Sequence, residues 1–502
     1  MDAMAASAPS RSEGLLAAAR NIGRWVAKPF ELDVRGLALF RIGIGLNTLC
    51  LALMQLRDAE ALFSDIGVLP REISRKFINL PGSFALDFLS GEPWFARTLS
   101  VLAALAALAL ILGWRTRVFT ILCWALMLGA RERNLLAADS GDDIVVLFLF
   151  WGMFLPLGAR LSLDARRNGL PAQPTTTSFG SAGYVFQLFV LYFFAALLKT
   201  GPSWRVNGNA LYTALSLDMM NTPFAVWLRQ FPAICRTLTF STFYLEFWGS
   251  LLLFVPFART PIRTLLAVSF IGLHLGIVMC LQIPIFAFSL VAAWLALVPG
   301  PIWDRLKWRA SEVKASDPPK WLRVAGPLGQ VFAALCLALV LLCNLAVLPG
   351  ATPQGARMRW LNQVTGLSQA WTMFAPDPLD SDGWMVFPAE LADGTRVDLY
   401  RGGPESYARP ENVPASYGDT RWRNVLATIA APEYKPFMPD VLRYLCLRWD
   451  REHPASQAAK HVAMIYMLEM TQPDNPAPPA TKKPLFEADC AAPAADPAAS
   501  SR

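Results

Sequence analysis

The sequence predicts an α-helical polytopic membrane protein of about 8–9 transmembrane helices, followed by an extracytoplasmic soluble domain of mixed α+β character. Two observations carry this reading. Of 502 residues, 54% are hydrophobic and only 17% charged, against roughly 25% charged in a soluble globular domain. The charges also gather at the N-terminus, in short linkers and after Pro349, which leaves long stretches for which lipid is the natural solvent.

Residues 1–33 read as a cytoplasmic segment, with Arg11, Arg20, Arg24 and Lys28 around a patch too short for a signal-peptide core. The first span is then an uncleaved anchor. Residues 34–348 hold the apolar runs Val34 to Leu56, Thr98 to Trp114, Val118 to Ala130, Ile144 to Leu161, Tyr184 to Leu198, Leu238 to Phe257, Leu265 to Ile283, Ile285 to Val298 and Val324 to Leu348. Several fall short of the roughly 20 residues that span a bilayer. With the N-terminus inside, the inner loops carry more Lys and Arg than the outer ones, most of the excess lying in the loop from Arg305 to Arg323. The soluble domain, 349–472, is then periplasmic and the chain a multi-pass protein of a bacterial inner membrane.

Within that domain, Val386 to Leu391 and Thr395 to Tyr400 flank Ala392-Asp393-Gly394, a hairpin signal. Val441 to Trp449 has helical apolar spacing, and His461 to Met470 is a candidate strand. Residues 473–502, rich in Pro and Ala, read as a disordered tail.

The net charge of +7 does not point to nucleic acid, because the basic residues flank apolar runs and form no stripe with interleaved aromatics. Membrane lipids are the expected partners. None of the eight cysteines has CxxC spacing, so no metal is predicted. Cys446 and Cys490 lie in the soluble part, where a disulfide between them is left open. No GxSxG elbow, Walker loop, dinucleotide fingerprint or HExxH motif is present.

Lys199 is the only lysine between Lys76 and Lys307, at the outer end of an apolar helix. It either snorkels to the headgroups or, partly buried, loses affinity for its proton and serves as a base. Helical spacing sets Tyr192, Ala195 and Ala196 on its stripe, the alanines leaving room for a ligand or another helix. Glu246 and His274 lie mid-span, where an ionisable group needs a partner or a polar cavity, and are expected to pair with each other, in a structural or a proton-relay role. Arg41 is expected to anchor the bundle on carbonyls or a lipid headgroup. Asp142 and Asp143 suit a helix N-terminus. With Arg131, Glu132, Arg133 and Asn134 they form a polar outer cluster expected to line a site near Lys199.

The runs LALFRIGIGL (from Leu37), DIGVLP (from Asp65), RNLLAADSGDDIVVLFLFWGMFLPLGARLSLDA (from Arg133) and AWTMFAPDPLDSDGW (from Ala370) resemble the bacterial horizontally transferred transmembrane (HTTM) domain proteins, relatives of vitamin K-dependent gamma-carboxylase. In that enzyme a membrane lysine deprotonates reduced vitamin K, whose oxygenation yields a stronger base for carboxylating glutamate. YFFAALLKTGPSWRVNG resembles the segment holding that lysine, and the match falls on Lys199, with Trp204 five residues on. The resemblance implies a quinone-using membrane enzyme, with a reduced quinone and an extracytoplasmic substrate as partners. The chain departs from the animal enzyme where an asparagine–histidine pair is expected, having Asn134 followed by Leu135. The alternative is a non-enzymatic membrane carrier or scaffold.

Overall fold

Each apolar run is bounded by residues that open or close a helix. In the computed structural model, which describes residues 21–23, 25–77, 85–168, 174–307, 326–471 and 478–490, the Asp33 carboxylate accepts the Arg35 amide and opens α1 (Val34–Arg57). The next helices are α2 (Pro93–Leu112), α3 (Thr116–Arg133) and α4 (Ser140–Gly152). A reciprocal cap between Asp139 and Asp142 opens α4, and one between Ser178 and Ser181 opens α5 (Phe179–Leu198). Next, α6 (Pro232–Tyr244) runs on through a π-helical turn, Leu245–Gly249, into a last turn, Ser250–Leu252. The set ends with α7 (Arg259–Cys280), α8 (Pro284–Leu295) and α9 (Pro327–Leu345). Prolines open α2, α6, α8 and α9, where an amide hydrogen has no helical partner to lose.

Among the described residues five helices, α1, α2, α5, α7 and α9, are long and apolar enough to cross a membrane. That is fewer than the nine predicted segments. The other four runs do form helices, but shorter or more polar ones. α3 carries Arg117, Arg131, Glu132 and Arg133, α8 has 12 residues, and the π turn divides α6.

The segment expected to continue to Leu161 stops at Gly152 after 13 residues. Pro156 has no amide hydrogen to extend it, and the carbonyls of Leu157, Arg160 and Leu161 turn onto the Arg41 guanidinium, as does that of Ile111, at 2.5 to 3.3 Å. The expectation that Arg41 anchors the bundle through carbonyls is met. Every residue from Ile144 to Gly152 is buried, since α4 packs against α1, α3, α5 and α8; a helix apolar all round belongs inside. On α2 and α9 the pattern reverses. Leu102, Leu105, Leu108 and Leu112, and Leu328, Val331, Leu335 and Leu342, stand exposed, apolar faces suited to lipid rather than water.

The C-terminal domain combines β1 (Ser381–Val386), β2 (Pro388–Leu391), β3 (Arg396–Asp398), β4 (Ala459–Met470) and β5 (Thr481–Asp489) with α10 (Thr420–Ile429) and α11 (Met438–Glu452). β4 is the spine, antiparallel to β1 and then β2 along one edge and to β5 along the other. β2 and β3 form the predicted hairpin, its turn made at Gly394 with φ +84°. α11 and β4 match the helical and strand readings of their segments.

The disordered tail does not hold for Thr481–Asp489. Backbone pairing with β4 orders this strand where composition alone does not, and a Cys446–Cys490 disulfide ties its end to α11. Residues 473–477 and 491–502 of that tail, residue 472 before it, residues 1–20 and Arg24 of the N-terminal segment, and the basic residues Arg309 to Arg323 lie outside the described residues.

Arginines fix this domain to the helices. Arg421 in the first turn of α10 is buried and grips both Asp142 carboxylate oxygens at 2.9 and 2.8 Å, with the Ala137 carbonyl at 3.1 Å. Arg443 reaches the Gly67 carbonyl at 2.9 Å, and Arg57–Asp419 and Arg451–Glu60 pairs flank the contact. Asp382 of β1, also buried, accepts the Met219 amide at 2.8 Å, and loss of hydration pushes its carboxyl up to about 7.

Arg421→Ala strands the Asp142 carboxylate and is expected to destabilise the protein by roughly 3–5 kcal/mol, measured as a lowered unfolding midpoint in detergent. Asp382 favours the folded state most when protonated, so that contribution is complete below the ordinary carboxylate range and fades as pH rises toward about 7. Asp382→Asn, which stays neutral, is therefore expected to gain roughly 4 kcal/mol over the natural protein between about pH 4 and pH 8, read from unfolding midpoints across that range.

Candidate functional site

At the end of α5 the chain turns inward on Lys199. Its side chain is buried, with Nζ 2.5 Å from Glu246 Oε2 and 4.9 Å from the centre of the Trp204 ring. Both partners come from widened turns: Glu246 from the π turn that continues α6, and Trp204 from a second one, Ser203–Asn207. A π turn shifts the phase of the side chains that follow, and such turns concentrate at functional sites.

Two turns earlier on the same face of α5 is Tyr192. Its Oη lies 2.7 Å from Nε2 of His274 on α7 and accepts the indole N–H of Trp294 on α8 at 2.9 Å. Phe270 stacks on Trp294, with ring centres 4.4 Å apart.

These residues enclose a cavity of 120 Å³, lined by Tyr192, Ala195, Lys199, Trp204, Glu246 and His274, together with Thr239, Thr242 and apolar side chains. Its wall also includes Met373 and Phe374. Phe374 is held at φ +55°, a conformation unfavourable for a bulky residue, by the Trp204 indole N–H, which donates to its carbonyl at 2.7 Å. The Gly201 amide donates to the Pro376 carbonyl and the Ser203 amide to the Asp377 carboxylate, both at 3.0 Å. A Cβ at Gly201 would stand 2.0 Å from that carboxylate, so this approach requires glycine. Beyond the wall of Ile283, Phe286, Met373 and Phe374 lies a second cavity of 480 Å³, bordered by Asp139, Asp377, Arg423 and Asn424.

The fold thus gathers five of the seven residues singled out from sequence: Lys199, Tyr192, Trp204, Glu246 and His274. Their pairing differs from the expected one, since Glu246 meets Lys199 and His274 meets Tyr192, not each other. The stripe reading is met in part, Ala195 lining the cavity beside Lys199.

Asn134 and Asp142 do not line this cavity. The Asn134 amide donates to the Leu62 carbonyl at 2.8 Å and its carbonyl accepts the Leu136 and Ala137 amides, while Asp142 caps α4 and holds Arg421. The capping reading is the one that holds, and through Asp142–Arg421 and Glu132–Gln363 the polar cluster joins the helices to the C-terminal region. Reading by sequence missed Thr239 and Phe374 as wall residues and Trp294 as the donor that holds Tyr192. Phe374 sits in AWTMFAPDP, singled out only as part of a run that carries the family resemblance, and Trp294 carries no signal inside its apolar run.

Among the described residues no group of three or more His, Cys, Asp or Glu side chains is placed to hold a metal ion. Comparison of the chain with protein-family models, curated proteins and solved structures gave no match.

Chemically, the site offers an amine and a carboxylate in contact at one end of an apolar chamber and a Trp–Tyr–His hydrogen-bond chain at the other. Such a chamber suits a flat apolar molecule bearing oxygens, and the pair can exchange a proton with it. Glu246→Ala leaves the buried ammonium alone, and a loss of roughly 3–5 kcal/mol is expected. The double variant Lys199→Met/Glu246→Leu, which removes both charges, is expected to recover most of that in thermal unfolding.

Proposed function

We propose that this chain is an integral membrane enzyme of the HTTM, vitamin K-dependent carboxylase-like kind, which draws a reduced quinone from the bilayer and deprotonates it with Lys199. The observation that carries the reading is the placement of one buried amine, 2.5 Å from a carboxylate, on the wall of an apolar cavity. Through their 2.5 Å hydrogen bond Glu246 can take a proton from Lys199, which leaves the nitrogen lone pair free to face the guest. The amine then takes the hydroxyl proton of the quinol: the O–H bond breaks, an N–H bond forms, and the electron pair stays on oxygen. The lipid-soluble guest would arrive from the bilayer, and an extracytoplasmic substrate from the side of the larger cavity.

In this reading all nine apolar helices lie in a bacterial inner membrane, the short ones sheltered by the long. The N-terminus faces the cytoplasm and the C-terminal domain the periplasm, a compartment where the Cys446–Cys490 disulfide is at home. Glutamate carboxylation is no part of the proposal. Where the animal enzyme has an asparagine–histidine pair this chain has Asn134-Leu135, and the Asn134 side chain is bonded to backbone away from the cavity.

The test is protein-dependent oxidation of 2-methyl-1,4-naphthohydroquinone by dissolved oxygen, followed by absorbance with the full chain in proteoliposomes. Lys199→Arg keeps a cation for Glu246 but cannot release its proton, and a loss of about 100-fold or more is expected. Full turnover by Lys199→Arg removes the base assignment. Quinone binding without turnover by the natural protein makes it a carrier.

A further inference from the structure

The far end of the cavity holds a buried donor that no protein group uses. Tyr192 Oη accepts the Trp294 indole N–H and lies 2.7 Å from His274 Nε2, the only acceptor shown for its own hydrogen among the described residues, so that hydrogen is assigned to Nε2. With Nε2 accepting, the imidazole carries its hydrogen on Nδ1. That nitrogen is buried and has no hydrogen-bond partner, although His274 as a whole is 2% exposed and lines the cavity. A buried donor left unsatisfied is costly, and the Trp294–Tyr192–His274 chain fixes which nitrogen bears it.

The geometry points to His274 Nδ1–H as the second anchor of the guest, a donor to an oxygen of the molecule whose other end meets Lys199. Tyr192 on α5 and Lys199, the residue that follows its last one, are seven positions apart, about 10 Å along the helix axis. The two ends of the chamber therefore suit a ring with oxygens on opposite sides, a para-quinone or its quinol, with one hydrogen bond of about 2.8 Å at each end. Trp294 and Tyr192 are positioning residues in this scheme and do not touch the guest through their bonded atoms. The inference rests on the quinone reading and adds to it the identity of the ring's second ligand.

Two substitutions separate holding the guest from holding Tyr192. Asparagine places an amide N–H near the position of Nδ1, and glutamine places its amide near Nε2. With the purified full chain and 2-methyl-1,4-naphthoquinone labelled with carbon-13 at one carbonyl or the other, infrared difference spectra of the natural protein should show, beside the carbonyl that meets Lys199, the opposite carbonyl band shifted down by its hydrogen bond to His274. His274→Asn should keep that shift. His274→Gln should lose it and bind the quinone about tenfold more weakly. The opposite order, or a band unchanged by both substitutions, overturns the inference while leaving quinone binding intact. A natural protein that binds no quinone overturns the underlying reading and this inference with it. Should either variant misfold, nitrogen-15 spectra of the histidine-labelled natural protein decide, because the His274 Nδ1 resonance must move when quinone is added, and an unmoved resonance sinks the proposal.

Discussion

A charged or hydrogen-bonding group inside an apolar interior has to find a partner there, and this constraint arranges the polar framework of the chain. Arg41, fully buried in α1, is bound by four backbone carbonyls that would otherwise be loose ends of α2 and of the turn after α4. Arg133, also fully buried, donates to the Leu69 carbonyl at 2.7 Å and draws the loop between α1 and α2 against α3. Arg421 and Asp142 satisfy each other across the junction between the helices and the sheet domain. Lys199 and Glu246 do the same inside the cavity. In each case the bond that hides a charge also fixes the relative position of two segments, so neutralisation and architecture come from the same contacts.

The helices were legible because their signal is local. The apolar run places α1 within one residue of both ends, while α5 and α7 start at Phe179 and Arg259, ahead of the runs that announce them, and the Asp393-Gly394 turn marks its hairpin. What was not legible depends on partners far away in sequence. α4 ends early because Pro156 has no amide hydrogen to extend it and the carbonyls of Leu157, Arg160 and Leu161 that follow are claimed by Arg41 from another helix. β5 exists because β4 offers a free edge, although nothing in the Pro- and Ala-rich composition of the segment calls for a strand. Asp142 looked like part of a cavity because its partner lies 279 residues further on.

The candidate site shows the same division. Scarcity and mid-span position were enough to single out Lys199, Glu246 and His274, because an ionisable group among apolar neighbours stands out in any listing of residues. Their pairing was not readable. Ideal helical spacing counts 3.6 residues per turn, and the π turn at Leu245–Gly249 breaks that count where Glu246 sits. Tyr192, which separates His274 from the lysine, was on the page as a stripe neighbour, but its bond to Trp294 required knowing that α8 packs against α7 and α4.

The return of the chain as β5 bears on how the molecule tolerates trimming. Composition invites a cut after Thr471, yet that cut would peel away the outer neighbour of β4, baring a row of amide and carbonyl groups along an edge strand and freeing the Cys446 thiol. Open edges of this kind recruit strands from other molecules, so a shortened chain is exposed to self-association through the sheet even with every helix intact.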